Sequence, residues 1–188
     1  MKIKKIFLVF GTRPEALKMA PVYLKLKDHF DCKILVTAQH REMLDQALEV
    51  FKLCADIDLN LMKKNQTLAS FTAKSIEAIS NELKDHMPDL VLVHGDTTTA
   101  LSAALSAFYL GIKIGHVEAG LRTYNLDAPF PEEFNRQVIS KIANMHFAPT
   151  KLNKKNLLDE GVKHQNIYVT GNTIIDSINL TIDKIKNN

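Results

Sequence analysis

Two short segments carry the residue types that proton transfer needs: His94-Gly95-Asp96 and His116-Val117-Glu118, each a histidine and a carboxylate two positions apart. A placed carboxylate can take a proton and give it back, and a neighbouring imidazole can tune it. Residues two apart in an extended chain face the same side. If that geometry persists, Asp96 and Glu118 can face one cleft. Asp96 is equally well placed as the N-cap of a helix opening at Thr97. Glu118 ends an apolar run and precedes Ala119-Gly120, where packing gives an acid no purpose. The two histidines read better as partners of the acids or as core groups than as catalysts. Two histidines and two acids also meet the inventory of a metal-dependent hydrolase.

A third acid, Glu132, is delivered at a helix start by the proline-bounded turn Pro129-Phe130-Pro131, and Glu133 beside it reads as a complement to the helix dipole. Cations gather elsewhere. In the turn Gly11-Thr12-Arg13-Pro14-Glu15, Gly11 permits close backbone approach, Pro14 suits a first helical turn, and free amides there attract anions. Arg13 adds a bidentate donor and Lys18 a second cation a turn later, a pairing that suits phosphate or a departing pyrophosphate. The plainer alternative is that Pro14 and Glu15 only start a helix and Arg13 is solvated. Arg122 and Arg136 could bind anions or each other. The polar loop Thr37-Ala38-Gln39-His40-Arg41 is either a binding loop or an ordinary helix entry.

These groups need a scaffold that brings distant segments together. Short β-branched runs at 6–10, 33–37, 90–94, 113–117, 145–148 and 167–170 alternate with helical periodicity at 15–28, 41–51, 68–86, 97–110, 131–144, 151–160 and 172–186. Most of the runs are apolar on both faces, as strands covered by helices must be. The expected class is α/β, a Rossmann-like doubly wound parallel sheet, whose ligands lie at the carboxyl ends of the strands. Glycines 111 and 161 and Pro88 mark helix ends, and Pro21 is expected to kink the first helix. Segment 119–130 is the one long irregular stretch, a length more often functional than idle.

The 188 residues suffice for one full core, with 46% hydrophobic and 24% charged residues, which excludes disordered and fibrous classes. A net charge of +3 without a dense basic run gives no argument for nucleic acid. Cys32 and Cys54 lack metal or disulfide spacing and read as reduced thiols of a cytoplasmic protein. No apolar run reaches the ~18 residues of a membrane span.

Taken together, the ordered segments 11–21, 37–41, 94–97, 116–122 and 131–133 resemble those of the non-hydrolysing UDP-N-acetylglucosamine 2-epimerase family, from the first strand to Thr170-Gly171-Asn172-Thr173. Pro14-Glu15 after Gly-Thr-Arg favours the non-hydrolysing branch. The resemblance implies the N-terminal half of a glycosyltransferase-B-like fold, an active site between two Rossmann-like domains, and metal-free, cofactor-free interconversion of UDP-N-acetylglucosamine and UDP-N-acetylmannosamine for surface polysaccharides. It also implies the route: UDP is eliminated, a 2-acetamidoglucal is held, the proton returns on the other face and UDP adds again. By this resemblance Asp96, Glu118 and Glu132 are the acid/base groups, with Arg13, Lys18 and Arg136 binding the substrate. Gln39 would touch a regulatory second UDP-sugar, although Glu42 stands where some regulated members have Gln. Residues 1–171 then form the epimerase domain and 172–188 lead toward a second domain, which supplies a further catalytic His. The 188 residues alone are expected to be nearly inert, and a homodimer is possible for the family. A nucleotide-sugar-binding or regulatory module, the metal hydrolase above, and a glycosyltransferase by fold analogy are the competing readings.

Overall fold

The computed structural model describes residues 3–37, 41–63 and 65–186. The apolar runs form strands β1 (Lys5–Phe10), β2 (Asp31–Val36), β3 (Ile57–Asp58), β4 (Leu90–His94), β5 (Lys113–Val117), β6 (Met145–Ala148) and β7 (Ile167–Val169). Among the described residues these make one parallel sheet in the order β3-β2-β1-β4-β5-β6-β7, the doubly wound α/β architecture expected. The order reverses between β1 and β4, so their carboxyl ends splay apart to leave a crevice. Strand β3 has no counterpart in the sequence reading. Two residues cannot display an alternation, and Asp56 Oδ2 fixes the approach by accepting from Ile34 N at 2.7 Å.

Helices follow as α1 (Arg13–Leu26), α2 (Arg41–Val50), α3 (Leu68–His86), α4 (Thr98–Tyr109), α5 (Glu132–Ile142), α6 (Lys151–Asp159) and α7 (Ile174–Lys186). Threonines 12, 67, 97 and 150 cap α1, α3, α4 and α6, each accepting from the amide three residues on. The cap of α4 is therefore Thr97, which releases Asp96 from the capping role that its position allowed.

Both faces of the sheet are covered. Phe7, Val9, Val91, Val93 and Ile114 pack under α3, α4 and α5, while Ile6, Leu8, Phe10, Ile34 and Val36 pack under α1 and α2. Helix α4 has nine buried residues among its twelve, chiefly Ala, Ser and Thr, and those small side chains let it lie close against both α3 and the sheet.

Pro21 sits inside α1, and the helix continues past it to Leu26. Proline has no N–H to give, so the Leu17 carbonyl loses its helical donor. Ser177 Oγ of α7 donates to that carbonyl instead, and at the other end of α7 Lys184 Nζ donates to Val50 O at 2.5 Å. The sequence feature read as a kink is thus also a docking point for the last helix.

Candidate active site

The carboxyl ends of β1, β4 and β5, the start of α5 and the turn before α7 meet on one edge of the sheet. At the end of β1, Thr12 and Glu15 form a reciprocal cap. Glu15 Oε2 accepts from Gly11 N at 3.0 Å, Thr12 N at 2.9 Å and Thr12 Oγ1 at 2.8 Å, and Oε1 accepts from Thr97 Oγ1 at 2.8 Å. This corrects the expectation of free amides at residues 11 and 12, because a buried carboxylate already occupies them. Burial pushes the Glu15 carboxyl above its ordinary range, opposed by His94 and by the donors from Gly11, Thr12 and Thr97. The Thr-x-x-Glu spacing of a capping box was legible in the sequence. Gly11 is needed for another reason than ligand approach. A Cβ there would lie 2.3 Å from Thr37 Oγ1 and 2.6 Å from Thr99 Oγ1. Arg13 is exposed at the helix start, while Lys18, one turn on, is turned inward.

Lys18 Nζ lies 2.5 Å from Glu118 Oε2, bridging α1 to the end of β5. The same oxygen is 3.3 Å from Asn172 Nδ2 and 3.4 Å from His94 Nε2, the latter close but not aligned as a hydrogen bond. Burial opposes ionisation of Glu118, but His94 and the Lys18 ammonium outweigh it and bring its carboxyl down to about 2. Glu118 is an anion throughout the physiological range.

The expected same-side pairing of histidine and acid fails at β5. Glu118 has φ 62° and Gly95 has φ 60°, so both strands leave extended geometry at these points. A left-handed conformation costs a residue with a side chain about 1–2 kcal/mol, and such strain gathers at functional positions. His116 is instead buried, its Nε2 donating to Gly95 O at 2.7 Å. Burial brings its pKa to about 3, only partly offset by that bond, so it is neutral. Among the described residues no group of three or more His, Cys, Asp or Glu is arranged to hold a metal ion. The ligand set of the hydrolase reading does not converge.

Asp96 is gripped from α5. Arg136 Nη2 lies 2.8 Å from its Oδ2, and Asn135 Nδ2 donates to its carbonyl at 2.8 Å. Burial raises the Asp96 carboxyl above its ordinary range despite Arg136, and the nearby Glu132 and Glu118 charges add to the rise. Glu132 has a buried oxygen, Oε2, without a partner among the described residues, and with Asp96, Thr12, Thr97 and Asn135 it lines a cavity of about 290 Å³. Glu133 is more than a complement to the helix dipole. It accepts from Thr123 N and Tyr124 N at 3.0 Å each and from Gln137 Nε2 at 2.8 Å, pinning the irregular segment 119–130 onto α5. Arg122 is wholly engaged, with Glu160 at 2.6 and 2.9 Å, Ser140 at 2.8 Å and Leu121 O at 2.7 Å. The two arginines pair with acids, not with each other. Gln39 lies outside the described residues.

The structure thus brings Lys18, Glu118 and Asp96 with Arg136 and Glu132 to one edge. His94 joins them as the partner of an acid that its position suggested, and the structure adds Asn172 and Glu15, which sequence reasoning did not place in the site. A model of the UDP-N-acetylglucosamine 2-epimerase family matches residues 23–188. The chain belongs to this family.

The UDP-N-acetylglucosamine 2-epimerase of Bacillus subtilis is 55% identical over 184 residues, which are 97% of this chain and 48% of that one. A crystal structure of the Neisseria meningitidis UDP-GlcNAc 2-epimerase bound to UDP-GlcNAc superposes with a TM-score of 0.94 at 53% identity, covering 97% of this chain and 50% of that chain. The chain spans about half the length of these epimerases. A lipopolysaccharide outer core galactosyltransferase, 18% identical with a TM-score of 0.60 over 90% of this chain and 46% of its own, shares the fold, in keeping with a glycosyltransferase-B-like architecture.

Proposed function

We propose that this edge is the acid/base half of a UDP-N-acetylglucosamine 2-epimerase site, which interconverts UDP-GlcNAc and UDP-ManNAc once a second domain closes over it. The observation that carries the reading is the Lys18–Glu118 contact beside the switch point of a sheet belonging to an epimerase family. A C2 hydrogen has no carbonyl beside it, so its removal must be matched by departure of UDP from C1. The electron pair of the C2–H bond becomes the C1–C2 double bond of 2-acetamidoglucal as the C1–O bond breaks toward the diphosphate. A carboxylate takes the proton, a second carboxyl group returns one to the opposite face, and UDP adds back.

The two central acids are pushed apart, Glu118 down and Asp96 up, as an acid/base pair must be. In this reading Glu118 is the ionised partner and Asp96 the one displaced toward carrying a proton, with Arg136 setting its rotamer. Lys18 is shared. As a diphosphate draws the ammonium away, Glu118 loses one of the groups that hold its carboxyl down and becomes a better base when substrate is present. Arg13, exposed at the helix start, meets the phosphates, and the unpartnered Glu132 oxygen takes a hydrogen bond from a sugar hydroxyl or acetamido N–H.

The same reading divides the protein at residue 171, with 172–188 leading to the second domain, places it in the cytoplasm, and allows a homodimer and a regulatory UDP-sugar near Gln39. Among the described residues no helix is long and apolar enough to cross a membrane. Chromatography and mass spectrometry of quenched UDP-GlcNAc reactions test the route. The expected trace holds UDP and 2-acetamidoglucal in equal amounts when residues 1–188 are joined to the second half of the Bacillus relative, and almost none with residues 1–188 alone. Epimerised product without either intermediate, even in trapped single turnovers, would sink the elimination route.

A further inference from the structure

Three donors approach the Glu118 carboxylate, and all three meet one oxygen. Lys18 Nζ lies 2.5 Å from Oε2, Asn172 Nδ2 3.3 Å and His94 Nε2 3.4 Å. In the proposed reaction Lys18, on its flexible four-carbon stem, turns to the diphosphate, and the His94 contact lacks hydrogen-bond alignment. Asn172 differs from both. Its Oδ1 accepts from Ile174 N at 3.1 Å, which caps the first turn of α7 and sets the plane of the amide, so that Nδ2 is aimed at Glu118. Helix α7 is itself seated on α1 through Ser177 and the Leu17 carbonyl, one residue before Lys18. Asn172 and Lys18 are thereby held in register by one helix pair.

We propose that Asn172 is a positioning residue for Glu118, holding Oε2 when Lys18 shifts to a diphosphate and leaving Oε1 to exchange the proton. The segment entering α7 is then part of the site and not a passive exit from the sheet. The proposal rests on the reading of Glu118 as an acid/base carboxylate. Its purpose is orientation: an acid with one oxygen fixed presents the other along one line, and a displacement of 1 Å at a reacting group can cost on the order of 100-fold in rate.

The charged and titratable groups facing Glu118 are Lys18 from α1, His94 from β4 and Asp96 from the turn after β4. Holding these constant, carbon-13 NMR of the Glu118 carboxyl in the 188-residue chain reads the Asn172 contact directly. Asn172→Asp keeps the oxygen that caps α7 but replaces the donor by a second anion. The Glu118 titration midpoint is expected to rise by about one pH unit or more, with amide-exchange protection in α7 unchanged. Asn172→Ser, which can cap α7 but is too short to reach Glu118, is expected to give a smaller rise in the same direction and covers the case in which the Asp variant folds poorly. An unmoved midpoint in both folded variants, or a rise that appears only with loss of α7 protection, overturns the proposal. Because the titration needs no turnover, failure of the epimerase reading shows itself separately, as absence of UDP-sugar chemistry with the midpoint still shifted.

Discussion

Replacing Glu133 by alanine tests whether a buried carboxylate organises the loop that delivers Glu132. Glu133 is fully buried and accepts three hydrogen bonds, from Thr123 N, Tyr124 N and Gln137 Nε2, with Arg136 Nη1 at 3.5 Å. Glu133→Ala leaves two backbone amides without their acceptor, each about 1–3 kcal/mol if it stays buried, and removes one of two acids facing Arg136. These losses overlap, since a released loop can hydrate its amides, so the expected cost is about 3–5 kcal/mol. For a domain of this size that is a fall of about 6–20 °C in Tm. Glu133→Gln keeps one acceptor oxygen and is expected to cost about half as much. Urea unfolding at pH 7 measures the difference, and chymotrypsin cleavage after exposed Tyr124 should quicken in parallel. The carboxyl is held below its ordinary 4.5, chiefly by the donors that outweigh its burial. Its stabilisation is therefore complete above that pH and lost as pH falls through the folded-state value, so the acid limb should be flatter in Glu133→Ala. A loss under about 1 kcal/mol with unchanged proteolysis would refute the reasoning.

Other outcomes follow from the same contacts. His116 and His146 are brought by burial to about 3 and about 4, so their neutral forms stabilise the fold fully above about 6.5 and lose that contribution as pH falls toward those values. Raised Glu15 and Asp96 act in the opposite sense, so the difference between wild type and His116→Gln isolates the imidazole; denaturant titrations between pH 7 and 4.5 should show wild type losing more, and parallel curves would contradict this. Gly120→Ala places a Cβ 2.3 Å from Asn153 O at φ 89°, whereas Gly161→Ala at φ 86° meets nothing within 4 Å. The expected losses are about 3–5 kcal/mol and about 1–2 kcal/mol, read by thermal unfolding, and equal losses would dismiss the close contact as the cause. Ser177→Ala should cost about 1–2 kcal/mol in the native chain but little beside Pro21→Ala, which restores the helical donor to the Leu17 carbonyl. Additive effects in that double-mutant cycle would exclude the compensation.

The sheet was legible because β1, β4 and β5 are apolar on both faces, a pattern that only a helix-covered parallel strand demands. Helix ends were legible to within a residue or two where Thr, Gly or Pro marked them. Strand β3 escaped because two residues carry no period. Side-chain direction was the harder quantity. Alternation put His116 and Glu118 on one side, and a single left-handed residue reversed that, since φ 62° at Glu118 is set by the tertiary frame and has no glycine to announce it. Gln137 and the two amides bound by Glu133 were likewise invisible, because the loop that supplies the amides has no period of its own. Asn172 lay in a recognised segment, yet nothing in its local sequence says that the turn after β7 folds back to the end of β5.

Proton transfer at C2 by the carboxylates of this edge is the central step of the proposed reaction. Proton NMR of UDP-GlcNAc in heavy water, with residues 1–188 joined to the second half of the Bacillus relative, measures it directly. Deuterium at C2 together with the appearance of UDP-ManNAc is the expected result, with loss of both in Glu118→Gln. Epimerisation without deuterium, or undiminished exchange in Glu118→Gln, would contradict it.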